Sequence, residues 1–454
     1  MPPNWRHLCY FHDNWGKYTM KDNRKKNTFY LTLVIFSLIG QVAWVVENMY
    51  FNVFIYKMFN ASAQAISAMV SASAVAATVT TLLIGALSDK LGKRKIFICG
   101  GYLVWGITIW SFALIRTDVI NALFPAVTSA AALGVSLTII MDCVMTFFGS
   151  AANDACFNAW LTDVTDESNR GAAEGINAMM PLVAILVVFG GFMSFDLNLA
   201  DSWTMIFGII GTVVLVIGVA GFFLIRDVPI RTEDNQNYFA NIFYSFRPGV
   251  VKANPVFYMT LAAYAVFGIA IQIFMPYLIL YYNVSLGMDN YVLIMAPAII
   301  LAAAFTAVYG RVYDRKGFVL SVAPALGLLM AGFVLLYLFK ATALVFVGSL
   351  LMMCGYLAGM AVFGAMLRDH TPQNRAGMFQ GLRIVGQVLI PGIIGPAVGA
   401  WVLRNAETVL NDDGTTSFIP NENIFLAALI AAVLIWIVMI PMFRKLKKEN
   451  VHER

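Results

Sequence analysis

Three carboxylates, Glu47, Asp142 and Asp154, and one guanidinium, Arg383, stand in stretches of sequence that are otherwise apolar. Around Glu47, the residues Trp44, Asn48, Phe51 and Asn52 recur at spacings of three and four, which places them on one broad helical face. A carboxylate, two amides and two aromatic rings on one face suit recognition of a sugar, with hydrogen bonds to its hydroxyls and stacking on the apolar side of its ring. An ionised group near the centre of a bilayer costs at least ~2.5 to 3.5 kcal/mol, so a carboxyl group kept there points to function. Such a group is also a natural proton carrier. The plainer alternative is a protonated Glu47 that ties its helix to a neighbour.

These residues need helices in lipid to position them. Of the 454 residues 60% are hydrophobic and 12% charged, with a mean hydropathy of +0.76, and no soluble domain could hide that much apolar surface from water. A membrane helix takes about 20 mostly apolar residues. Stretches of that kind fall near 28–57, 62–88, 96–115, 134–162, 172–194 and 203–225, then near 255–282, 289–312, 317–339, 342–368, 378–403 and 423–443. The expected fold is therefore an all-α membrane protein of twelve transmembrane helices. The region 117–162 is apolar enough to hold either one span or two, and charge decides for one. With twelve spans and both termini in the cytoplasm, 25 of the 30 Lys and Arg residues fall on the cytoplasmic side, whereas a thirteenth span would throw the basic central loop and tail outside. The segment 117–133 is accordingly expected to be an outer loop or a helix extension.

The same distribution explains the net charge of +5: the basic residues are spread over many loops and form no patch for nucleic acid. Residues 1–27 are polar and basic with no apolar core ahead of a cleavage site, and read as a cytoplasmic extension. Cys9, Cys99, Cys143, Cys156 and Cys354 lack CxxC spacing, so neither a disulfide framework nor a metal site is expected. His7, His12, His370 and His452 lie outside the spans, which argues against a membrane-embedded His relay and against a metalloenzyme. With no nucleotide loop, nucleophile elbow or ligand cluster, no enzyme and no cofactor beyond a coupling H+ or Na+ is expected. Asn60-Ala-Ser62 and Asn283-Val-Ser285 match the glycosylation pattern, but both hug the membrane and are not read as modification sites.

Internal repetition speaks to architecture. Gly85-Ala-Leu-Ser-Asp89-Lys-Leu-Gly92-Lys-Arg94-Lys95 is echoed by Gly310-Arg311-Val-Tyr-Asp314-Arg-Lys-Gly317, and Leu161-Thr-Asp163 with Asn169-Arg170 by Leu367-Arg-Asp369 with Asn374-Arg375. The offsets are 225 and 206, so the first copy carries 19 more residues between its marks, where the outer loop is expected. The chain reads as two parallel copies: a bundle over 28–225, a cytoplasmic central loop over 226–254, a second bundle over 255–443 and a basic tail over 444–454.

The stretch 85–95 resembles the loop signature of the major facilitator superfamily, with a weaker partner at 310–317 as that family shows. The resemblance implies two six-helix bundles around a substrate cavity, a monomer as the working unit, and a bacterial inner membrane or its equivalent as the location. It also implies a conformational role for the signature loops. Asp89, at a helix C-terminus where a negative charge is unfavourable, would contact the start of span 11 with Arg94 in the same charge cluster, and Arg311 and Asp314 would play the mirrored part. Within the superfamily, Asp154-Ala-Cys-Phe-Asn158-Ala-Trp160-Leu-Thr-Asp163 and Phe246-Arg-Pro-Gly-Val-Val-Lys-Ala-Asn-Pro255 look like the glycoside-pentoside-hexuronide:cation symporters, the melibiose permease group. That group carries carboxylates in span 2 for its cation. The matching stretch 73–81, SAVAATVTT, has none, so coupling falls to Glu47, Asp142 or Asp154, and a proton is favoured over sodium.

Asp154 lies about 12 Å, and Arg383 about 8 Å, inside the cytoplasmic ends of their spans. A buried Arg demands a partner, and the two are expected either to form a cytoplasmic gate that breaks during alternating access, or to be a static lock, or to bond to different neighbours. Asn153, Asn158, Asn177 and Gln387 line neighbouring turns and are candidate solute ligands or interhelical glue. Asp142 near the outer end of its span is a candidate that could instead reach the interface, and Gln272 would be the second half's share of the site. Three functions follow: cation-coupled uptake of a sugar or glycoside, facilitated transport or export of another small organic solute, and a transport-inactive sensor or scaffold. The partners expected are lipid and a small solute.

Overall fold

The computed structural model describes residues 23–165, 169–227, 244–371, 381–411 and 415–452. Most of the expected N-terminal extension and central loop lies outside these residues. Among them, eleven helices are long and apolar enough to cross a membrane: α1 (Lys26–Phe59), α2 (Ala63–Leu91), α3 (Lys95–Leu114), α4 (Ala130–Val164), α5 (Arg170–Phe192), α6 (Ala200–Leu224), α7 (Pro255–Ser285), α8 (Val292–Leu338), α9 (Thr342–Asp369), α10 (Gly381–Asn405) and α11 (Asn423–Leu446). Their outward residues are large and apolar, Phe223, Ile107 and Trp401 among them, and only lipid makes a favourable solvent for such a surface.

Helix α8, with 47 residues, is more than twice the length a bilayer accepts. It breaks at Gly317, whose φ of 72° and ψ of −178° are closed to other residues. The Tyr309 hydroxyl donates to the Ser321 carbonyl at 2.6 Å, a contact that residues twelve apart on a straight helix, roughly 18 Å apart along the axis, could never make. The chain thus doubles back at Gly317, and α8 contains both stretches expected at 289–312 and 317–339. The later labels consequently run one behind the span count.

Local chemistry sets the ends. Ser62 caps α2 by accepting from the Ala65 N–H at 3.2 Å, and Gly92 closes that helix with φ 63°. Asn60 ends α1 in the left-handed region, φ 52°. Between α3 and α4 the chain makes only the short helix Thr117–Leu123 before Ser129 caps the start of α4, so the stretch 117–133 is not a span. Helices α3 and α6 approach through Gly106 and Gly211, where a side chain on either would press on the other's backbone.

π-Helical turns interrupt three of these helices, Val46–Tyr50 in α1, Ser150–Phe157 in α4 and Val385–Leu389 in α10, and Tyr281–Ser285 ends α7 in the same way. The one sheet among the described residues is a hairpin between α10 and α11, β1 (Thr408–Leu410) against β2 (Thr416–Phe418).

Candidate functional site

The π turn in α1 displaces Glu47 from regular helical register and turns its side chain toward α2 and α4. Its Oε1 accepts from Ser73 Oγ at 2.6 Å and from Thr146 Oγ1 at 2.8 Å, and the two hydroxyls are 2.9 Å apart. One carboxyl oxygen therefore joins three helices. Its other oxygen, Oε2, is buried with no donor. Asp142 lies one turn before Thr146, so it occupies the same face of α4 and interacts electrostatically with Glu47. It is 2% exposed and its Oδ1 also lacks a donor. The alternative that Asp142 simply reaches the interface does not hold, because its side chain is buried.

The broad face expected around Glu47 is divided. Trp44 is half-buried, its ring tilted against Trp105 at 5.1 Å and its indole N–H near Asp154 but outside hydrogen-bonding geometry. The Asn48 amide donates to the Trp44 carbonyl at 2.8 Å, and the Asn52 amide to the Asn48 carbonyl at 2.9 Å. Both amides thus spend a donor on their own helix. Asn48 keeps an exposed side chain, whereas Asn52 is fully buried with an unpartnered Oδ1. Phe51 turns away altogether, into a ring cluster with Phe112 at 4.5 Å and Phe207 at 5.4 Å.

In α4 the π segment splits neighbours. Asn153 is buried and donates to the Tyr102 hydroxyl at 3.3 Å, while half-buried Asp154 accepts from Ser150 on its own helix at 2.9 Å. Asn158 donates to the Asp154 carbonyl at 3.3 Å and accepts from Asn177 at 3.4 Å, and Asn177 accepts in turn from Ser37. The last three join α4, α5 and α1 in the manner of interhelical glue. Gln272 in α7 and Gln387 in the π turn of α10 are half-buried, and neither side chain forms a hydrogen bond among the described residues.

Asp154 and Arg383 are not an ion pair in this structure. Asp154 is engaged by Ser150, and Arg383 faces Tyr264 of α7 and the like charge of Arg368 of α9, with its Nε buried and unpartnered. Among the described residues, the hydrogen bonds between 23–227 and 244–452 fall among residues 50–71, 277–291, 392 and 411–418 and involve neither group.

The first signature loop is assembled. Arg94 pairs with Asp89 and, at 3.1 Å, with Asp163, and donates to Ser88 Oγ at 2.5 Å. Burial opposes the charge on Arg94, and the two carboxylates outweigh it, so the guanidinium is held above its ordinary pKa. Asp227 accepts from the N–H groups of Arg94 and Lys95 at 3.0 and 2.8 Å and so caps α3. Gly85 lies on the last turns of α2 against Ala155 of α4. The expected contact of Asp89 with the start of span 11 falls on 372–380, outside the described residues.

The mirrored loop differs from expectation. Arg311 and Asp314 are exposed and form no ion pair among the described residues; instead Tyr313 donates to Asp369 Oδ2 at 2.5 Å. Gly310 and Gly317 match Gly85 and Gly92 at the offset of 225, and Gly92 and Gly317 share positive φ. The position equivalent to Arg94 is Val319, so a tyrosine must reach the second carboxylate directly.

Sequence reading missed Ser73, Thr146, Asp163, Asp227 and the Tyr313–Asp369 contact as site members. Thr146 stands four residues after Asp142, a spacing that could have flagged it. A cavity of about 430 Å³ also opens beside Phe54, Phe112, Arg116 and Trp203, and none of the candidate residues lines it.

A family profile described as Major Facilitator Superfamily matches residues 29–396. The chain belongs to that superfamily. It is a multi-pass integral membrane protein with the fold of a secondary transporter. Solved structures agree on the fold: a mutant of the nucleoside transporter NupG superposes with a TM-score of 0.69 at 14% identity, covering 91% of this chain and 99% of that one. A partially occluded inward-open conformation of the xylose transporter XylE from E. coli gives 0.65 at 14%, covering 90% and 96%. A bacterial homologue of the human lysosomal transporter Spinster gives 0.63 at 15%, covering 90% and 95%. No curated protein matches the sequence.

Proposed function

We propose that this superfamily member is a cation-coupled importer of a sugar or glycoside, working by alternating access, with the proton as its coupling ion and Glu47 as the proton carrier. The observation that carries the reading is the Glu47 carboxyl group, buried where α1, α2 and α4 meet, with one oxygen held by Ser73 and Thr146 and the other without a donor. A single proton gives that oxygen a role no neighbour supplies, and Asp142 one turn from Thr146 is the second carboxyl group able to share it. Sodium is disfavoured by the span 2 stretch, which offers hydroxyls and no carboxylate.

The solute class rests on the sequence resemblance to the melibiose permease group and on Trp44, Asn48 and Asp154 beside the half-buried polar residues of α4. The xylose and nucleoside transporters of similar fold both handle a pentose ring, which agrees with a sugar reading. In this proposal the protein has twelve spans, since α8 contains two, arranged as bundles over 28–225 and 255–443 with both termini in the cytoplasm, and works as a monomer in a bacterial inner membrane or its equivalent. The conformation is one with the outer end closed. Asp154 and Arg383 then form their gate only when the inner end closes.

Uptake of labelled mono- and disaccharides into proteoliposomes, with and without an imposed proton or sodium gradient, tests the reading. Accumulation driven by the proton gradient in the parent and lost in Glu47→Gln supports it. Gradient-independent uptake removes the coupling assignment, and no sugar uptake at all moves the assignment to a facilitator or exporter of another solute, or to a transport-inactive sensor.

A further inference from the structure

The end of the molecule that the basic residues place outside is closed by a feature no helix pattern foretells. The hairpin β1–β2 between α10 and α11, in register Thr408↔Phe418 to Leu410↔Thr416, leans on the turn between α1 and α2. Asn60 forms that turn and aims its whole amide at the hairpin. Its Nδ2 donates to Thr415 Oγ1 at 2.7 Å, and its Oδ1 accepts from Ser417 Oγ at 3.0 Å and Asn411 Nδ2 at 3.2 Å. Asn411 in turn reaches Thr415 and Ser417 at 3.0 and 2.9 Å, which completes a closed polar ring around Asn60. One turn earlier on α1, the Tyr56 hydroxyl donates to the Phe418 carbonyl at 2.6 Å while the two rings meet edge to face at 5.2 Å. Phe418 also stands edge-on to Tyr277, whose hydroxyl donates to the Ala63 carbonyl at 3.1 Å.

Among the described residues, seven hydrogen bonds join residues 23–227 to residues 244–452, and four of them are made by Asn411 and the hairpin side to Tyr56 and Asn60. Any movement that opens the outer end between the halves must break this group. We propose that the hairpin is a latch and Asn60 its keeper, so that the latch sets how often the outer entrance opens. Asn60 suits the part on two counts: Asn tolerates the left-handed backbone that ends α1, and its side chain both donates and accepts, so one residue engages three partners. The inference rests on the superfamily's alternating access and not on the sugar or the coupling ion.

The test uses the full-length protein with its native cysteines changed to serine and a single reporter, Ser71→Cys. Ser71 lies beneath the latch on α2, where its hydroxyl donates to the Gly392 carbonyl across the two halves at 3.2 Å. Labelling by a membrane-impermeant maleimide added from outside reads how often the outer end opens. Asn60→Gly keeps the backbone conformation and removes the amide, and it should label roughly tenfold faster, the effect of losing about two net hydrogen bonds. Tyr56→Phe deletes one hydroxyl and should label a few-fold faster; it decides the matter should Asn60→Gly fail to fold by thermal unfolding. Labelling at the parent rate in the folded variants overturns the latch and leaves the hairpin a static clasp.

Discussion

The Tyr313 hydroxyl donates to Asp369 Oδ2 at 2.5 Å, and the two residues stand in the second repeat where Ser88 and Asp163 stand in the first. In the first repeat Arg94 bridges Ser88 and Asp163, whereas in the second the bridge is absent and the longer tyrosine spans the gap. The two halves thus reach one connection, between the end of their second helix and the end of their fourth, by different chemistry. Removing the single hydrogen bond should cost less than removing the cation: Tyr313→Phe about 1 kcal/mol, and Arg94→Ala about 2 kcal/mol, because it leaves the Asp89 and Asp163 carboxylates without their shared cation. Denaturant unfolding of the purified variants in detergent measures the order, and equal losses would deny the asymmetry.

Asp227 reaches α3 from the far side of three helices in sequence, capping the N–H groups of Arg94 and Lys95. Asp227→Ala should therefore destabilise by about 1 kcal/mol and speed hydrogen exchange at the first turn of α3. Exchange unchanged over 94–98 would show the cap to be idle.

Glu47 and Asp142 act as a unit in the proposed coupling, and a unit is non-additive. Glu47→Gln and Asp142→Asn should each abolish gradient-driven accumulation while leaving solute exchange at zero gradient, and the double variant should do no further harm. Additive losses in the double variant would separate the two carboxyl groups.

Outside the spans, the hydrogen bond from Arg116 at 3.1 Å holds the Asp118 carboxyl below its usual range. A depressed carboxyl contributes stability above its unfolded value of about 3.9, and the contribution fades as the pH falls through the lower folded value. Arg116→Gln should accordingly lower the melting temperature slightly at neutral pH, and the gap from the parent should close below about pH 4. A gap that persists in acid would place the stabilisation elsewhere, for instance in the bond of Arg116 to Thr204.

Helices, their approximate ends and the exclusion of a span at 117–133 were legible in the sequence because lipid leaves the backbone no alternative to helix and basic residues mark one side of the bilayer. The repeat was legible too, since a duplicated motif keeps its Gly and Asp residues wherever they come to lie; that is how Gly92 and Gly317, both at positive φ, could be paired before any geometry was known. What could not be read is which helical face meets which partner. Regular 3.6-residue spacing put Trp44, Glu47, Asn48, Phe51 and Asn52 on one face, and the π turn at Val46–Tyr50 shifts the register partway along it, so Phe51 goes to the core and Asn48 stays exposed. Asp142 was a group of unknown fate on a single helix, and only the packing of α1 and α2 against α4 buries it beside Glu47. Asp154 and Arg383, matched by depth and by the need of a buried Arg for a carboxylate, instead find different neighbours, Ser150 for the one and Tyr264 with Arg368 for the other. The contact of Asn60 with Thr415 and Ser417 joins residues more than 350 apart in the chain, a distance over which no local pattern carries information.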